Sequence, residues 1–132
     1  MNAPKLSTLL RYALTADALS SAATGVMLAV GAEVLAPYLG LPVTLLRPAG
    51  IVLLPFAALV GYLATRPAVG RPLLWTVIVI NALWAVDSLL LLVSGWVEPS
   101  LLGIAFVVVQ ALAVAALAEV QYVGLRRLQV AA

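Results

Sequence analysis

A chain of 132 residues that is 65% hydrophobic and only 9% charged departs from globular composition, where about 45–50% apolar and about 25% charged residues are usual. So few charges cannot cover a soluble fold of this size, which makes the bilayer the expected solvent. The sequence has no cysteine and no histidine, which excludes disulfides, thiolate or imidazole catalysis and the usual zinc and haem ligands; its seven basic residues, at a net charge of +2, are too scattered to hold nucleic acid.

A membrane span needs about 20 mostly apolar residues, and residues 9 to 31 form the first. Asp17, Ser20, Ser21 and Thr24 recur there at i, i+3, i+4 and i+7 and share one face. MNAPKLSTLLRY ahead of an apolar stretch also has the outline of a cleaved signal peptide. Against cleavage, Asp17 and the Ser20, Ser21, Thr24 run interrupt what would be its apolar core. Residues 33 to 41, EVLAPYLGL, read as the first connector, either a plain loop or a short amphipathic turn on the outer surface.

The second span, 44 to 65, aligns Arg47, Gly50, Ala58, Gly61 and Thr65, and ends in the helix-breaking RPAVGRP. The third, 73 to 95, contains NALWAVDSLLLLVSG, in which Asn81, Trp84 and Ser88 lie at i, i+3 and i+7 with Asp87 on the flank. After WVEPS, the fourth span, 100 to 124, carries a stripe of Gly103, Phe106, Gln110, Ala113, Gln121 and Gly124. Short connections force neighbouring helices to run antiparallel. The expected fold is therefore all-α: one transmembrane domain over residues 1 to 132, an antiparallel four-helix bundle.

Lys5, Arg11, Arg66, Arg71, Arg126 and Arg127 fall on one side of these spans, with Glu33, Glu98 and Arg47 on the other. Positive residues are retained in the cytoplasm, so both termini are expected there. Trp75, Trp96, Tyr38, Tyr62 and Tyr122 lie near span ends, where aromatic rings favour the interface. Glu119 is an interfacial residue for which Arg11 or Arg126 would serve as partner. An internal echo also emerges. Residues 17 to 31 align without gaps on 81 to 95, pairing Asp17 with Asn81, Leu28 with Leu92 and Gly31 with Gly95, as two parallel-repeat hairpins would.

Polar groups near the midplane are costly and turn toward a bundle interior, a cavity or a partner. Asp17, Ser21, Thr24, Asn81, Trp84, Asp87 and Gln110 form the candidate proton or ligand site, and Arg47 offers either an ion pair to Asp87 or a snorkelling contact at the outer surface. Two lone carboxylates on different helices do not amount to a metal site. No nucleotide loop or serine-histidine pair is present in the sequence, and neither enzymatic activity nor a cofactor is expected.

LLRYALTADALSSAATG, LRPAGIVLLPFAALVGYLATR, NALWAVDSLLLL and AEVQYVGLRR together resemble small four-helix inner-membrane proteins of bacteria. That resemblance covers nearly the whole chain and implies a fold and a bacterial inner-membrane location, with no established activity. An acid in the first helix is also similar to the small multidrug resistance exporters, whose first helix carries a proton-coupling glutamate. Here the acid is an aspartate, the flanking residues differ and the charge bias sets a single orientation. Two functions follow as expectations: a non-enzymatic protein acting through helix packing, as a homo-oligomer or accessory subunit of a membrane complex; or a small proton-coupled transporter or binder of a lipophilic or cationic ligand, using Asp17 and Asp87.

Overall fold

The computed structural model describes residues 5 to 131, with side chains to residue 128. It holds four helices, α1 (Thr8–Leu39), α2 (Val43–Ala64), α3 (Arg71–Ser94) and α4 (Leu101–Ala131), each long and apolar enough to cross a membrane. No strand occurs among the described residues. Ser7 caps α1 by accepting the amide of Leu10 at 3.2 Å, which supplies one of the orphan donors at a helix start. Gly70 and Pro72 open α3, where proline loses no helical hydrogen bond.

The connector expected at 33 to 41 is not a loop. α1 runs on through Glu33 and Pro37 and stops at Gly40, whose left-handed φ of 67° returns its N–H to the Ala36 carbonyl. Ala32 and Leu39 are buried in that extension, with Leu35 and Ala36 packed beside them. Remaining helical satisfies the backbone internally, and a proline in the last turn removes one bond from it. At 1.5 Å per residue, α1 and α4 are each about 45–50 Å long, against about 33–36 Å for α2 and α3.

The two long helices form the central antiparallel pair. At one end, the Ser100 amide donates to the Leu39 carbonyl at 2.9 Å, and Gly103 lies so close to that carbonyl that a Cβ would collide with it. At the other end, Gly124 packs on Leu10. α2 crosses α1 where Gly25 and Gly50 face each other; a Cβ on Gly50 would fall 2.6 Å from the Gly25 carbonyl oxygen and strike the Ala29 amide. Such glycines let backbones approach in a medium that offers helices little hydrophobic drive to associate.

α3 is held differently. It packs on α4, and its direct packing against α1 and α2 is slight. Near the end that carries Arg66 and Arg71, all four helices meet in one core: Leu10 and Leu14, Val60 and Leu63, Leu74 and Val77, and Leu125. The buried core of the other half contains Leu28, Ala32, Leu46, Leu53 and Val107 and nothing from α3. The buried residues of α3 end at Ala85. Beyond that level, α3 stands away from α2.

The two hairpins run in the same sense, as the internal echo requires. Their packing is unequal: the α1–α4 seam is closed, and the corresponding α2–α3 seam is open at one end. The small-residue stripes also shift. In α2 the buried line is Leu46, Gly50, Leu53, Ala57 and Val60, so Ala58 and Thr65 lie outside it. Gly103, Gln121 and Gly124 of the expected α4 stripe are buried, whereas Ala113 is exposed.

The glycine crossing yields a direct test. Gly50→Val forces a side chain into the α1 backbone and should cost at least about 1–3 kcal/mol, read as a lowered unfolding midpoint in detergent. Gly31→Ala, whose new Cβ finds its nearest neighbour at 3.8 Å inside α1, should hold that midpoint or raise it slightly.

Candidate functional site

The seven candidate residues separate into two groups one helical turn apart. The first is a sealed polar knot. Asp17 Oδ2 accepts from Asn81 Nδ2 at 2.6 Å and from Gln121 Nε2 at 2.8 Å, and Asn81 Nδ2 also donates to Gln121 Oε1 at 3.1 Å. Ser21 donates to Asp17 Oδ1 at 3.2 Å. The carboxylate therefore has three donors from three helices, and no cation. Asp17 and Gln121 are each 1% exposed and Asn81 3%, so the buried carboxyl group is met by hydrogen bonds on both oxygens, as burial requires.

Helical spacing puts these groups together. Leu10, Leu14, Asp17, Ser21, Gly25 and Leu28 descend the inner face of α1. Asn81 stands on the buried line of α3 after Leu74, Val77 and Ile78, and Gln121 lies between Ala118 and Leu125 on α4. Ser20 is outside the group: it faces away and donates to the Asp17 backbone carbonyl at 3.1 Å. Gln121 was legible only as a member of the α4 stripe; its distance in sequence from Asp17 gave no sign that it would meet the carboxylate.

The second group lines a cavity of about 530 Å³ between α2 and the free half of α3, floored by α1 and α4. Its walls are mainly apolar, among them Leu28, Leu45, Leu91 and Phe106, and Thr24, Trp84, Asp87, Ser88 and Gln110 also line it. Trp84 Nε1 donates to Gln110 Oε1 at 2.8 Å, joining α3 to α4, and Gln110 Nε2 donates to the Val107 carbonyl at 3.0 Å. Ser88 is turned back onto the Trp84 carbonyl at 2.7 Å. The carboxylate of Asp87 takes no hydrogen bond or ion pair from the described residues.

The Arg47–Asp87 ion pair is not formed. Arg47 Nη2 lies 3.3 Å from Glu33 Oε1, and its Nε donates to the Ala29 carbonyl at 3.1 Å. The continued helix explains this: because α1 does not break at residue 33, Glu33 is held beside the α2 crossing and takes the arginine. Glu119 is exposed and pairs with neither Arg11 nor Arg126. Arg11 donates to the Ala64 carbonyl, and Arg126 lies 5.8 Å from the Tyr122 ring centre. Tyr122 in turn meets Trp75 edge-on at 5.7 Å, and Arg66 covers Tyr62 at 4.9 Å. These contacts place arginines and aromatic rings together at one end of the bundle, the arrangement of a membrane interface.

Among the described residues, no three acidic side chains gather where they would hold a metal ion. No protein-family model matches the chain, and no curated protein or solved structure is similar to it.

The knot behaves as a unit in one measurable respect. Asp17→Ala strands the Asn81 and Gln121 donors and should lower stability by about 1–3 kcal/mol. Asp17→Asn, whose amide oxygen can accept both donors while its amide group turns to Ser21, should cost less than half of that; chemical unfolding in mild detergent compares the two.

Proposed function

We propose that this chain is a non-enzymatic membrane protein that holds a small lipophilic ligand in the cavity between α2 and α3. One observation carries the reading: α2 and α3, adjacent in sequence, are parted along half their length by a mostly apolar chamber into which a few polar groups face. Ligand sites combine this kind of apolar wall with sparse polar groups. A cavity flanked by two membrane helices receives molecules already dissolved in the bilayer.

The geometry favours binding over action through helix packing alone. Gly25, Gly50, Gly103 and Gly124, the small residues suited to joining helices, are already spent on contacts within the chain. It also moves the functional weight away from Asp17, which is enclosed by its three partners, and toward the Asp87 side of α3. Proton coupling through Asp17 would require this knot to open.

Several finer features belong to the proposal. The distribution of Lys5, Arg11, Arg66, Arg71, Arg126 and Arg127 supports an orientation with both termini in the cytoplasm, and a bacterial inner-membrane location rests on the resemblance alone. The cavity then lies in the outer half of the bilayer. Self-association or membership of a larger membrane complex remains compatible with the exposed apolar faces of α1, α3 and α4.

The test uses the protein in lipid nanodiscs with N-phenyl-1-naphthylamine, an uncharged fluorophore that brightens in apolar confinement, and empty nanodiscs as reference. Wild type should give saturable brightening. Ala49→Phe, which fills the cavity wall, should weaken it at least about tenfold; Leu112→Phe, on an exposed face of α4, should not. Linear partitioning indistinguishable from empty nanodiscs would overturn the proposal.

A further inference from the structure

We infer that the ligand of this cavity is an organic cation, a lipophilic amine or onium compound, with Asp87 as its counter-charge. The inference rests on the cavity's being a ligand site and adds the chemical class of the occupant.

Among the described residues, Asp87 is the sole charged one in the cavity lining. A carboxylate at this level of a membrane helix is expensive unless something answers it. The chain answers its other inward-facing charges. Asp17 has Ser21, Asn81 and Gln121, and Arg47 has Glu33 and the Ala29 carbonyl. Asp87 receives nothing from the described residues.

Arg47 follows Leu46, which itself lines the cavity, yet the arginine is committed to Glu33 across the α1–α2 crossing. The neighbouring polar groups do not compete for the carboxylate either: Trp84 gives its N–H to Gln110, and Ser88 gives its hydroxyl to a backbone carbonyl. The chamber thus offers one negative group and no free donor from these two neighbours on its own helix. An anionic guest would meet repulsion, and a neutral one could answer the carboxylate only by a hydrogen bond, leaving its charge without a counter-ion.

The aromatic lining fits the same guest. Trp84, Trp96 and Phe106 all border the chamber, and the faces of such rings attract cations, tryptophan most strongly. Trp84 precedes Asp87 by three positions on α3, so ring and carboxylate lie on adjacent turns of one face. Apolar walls take the hydrocarbon of the guest; Asp87 and the rings take its charge.

Two probes of nearly equal shape and opposite charge separate the possibilities: tetraphenylphosphonium and tetraphenylborate, each titrated against N-phenyl-1-naphthylamine in nanodiscs holding the wild type, Asp87→Asn or Asp87→Glu. Intrinsic bilayer partitioning cancels when each probe is compared across the variants. Asp87→Asn should weaken phosphonium about tenfold more than it changes naphthylamine binding, with borate equal or tighter, and Asp87→Glu should retain most of the phosphonium affinity. Because Asp87 is exposed and has no partner among the described residues, the asparagine variant should elute and unfold as wild type does. Phosphonium binding unchanged in Asp87→Asn, with naphthylamine still bound, would overturn the inference and leave the cavity reading standing. Failure of every probe to saturate in wild type would overturn both.

Discussion

The shape of this bundle depends on where α3 is fastened. Its main polar anchor is the Asp17 carboxylate, which binds Asn81 of α3 and Gln121 of α4 at one level and so locks three helices together in a single hydrogen-bonded triangle. Directional bonds fix relative position in a way that aliphatic contacts do not, and lipid tails provide no competing partner for them. Above and below that level the consequences differ. Toward the arginine-rich end, Leu74, Val77 and Ile78 close against α1, α2 and α4. Toward the other, only the Trp84–Gln110 bond and partial contacts hold α3, and the gap between it and α2 becomes the chamber.

Stability and access are therefore assigned to different residues of α3. Asn81 belongs to the closed region, and Asp87, less than two turns further on, belongs to the open one. Asp17, fully enclosed by its partners from α3 and α4, serves the fold; Asp87, on the open stretch of α3, is left available. The same side chain has two uses, decided by how many helices surround it.

Much of the architecture was legible in the sequence. Four long apolar segments separated by proline and glycine can be little else, and the alternation of arginines across them matches the two ends of the bundle. The i, i+3, i+7 spacing correctly directed Asp17, Ser21 and Asn81 inward. What was not legible has a common physical cause: when the solvent is as apolar as leucine, hydrophobic patterning ceases to distinguish inside from outside. Of the α2 stripe of Arg47, Gly50, Ala58, Gly61 and Thr65, Gly50 does face α1, whereas Ala58 and Thr65 were misplaced for that reason. The continuation of α1 through EVLAPYL was hidden because proline ordinarily signals a break, whereas here it falls in a final turn whose other bonds survive. The outer-surface alternative for Arg47 nonetheless pointed to Glu33, and the continued helix is what holds that partner beside the α2 crossing. Gln121 meets Asp17 through the return of α4 along α1, a tertiary event with no local signature.

The triangle has a consequence for how the protein is made. Its members lie at positions 17, 81 and 121, so a ribosome delivers the acid first and its final donor only with the fourth helix. During synthesis α1 enters the bilayer with an aspartate that its own helix satisfies on one oxygen alone, through Ser21. Asn81 arrives next and Gln121 last. The carboxylate therefore reaches its full set of donors only once α4 lies back along α1, and the knot exists in the finished four-helix bundle alone.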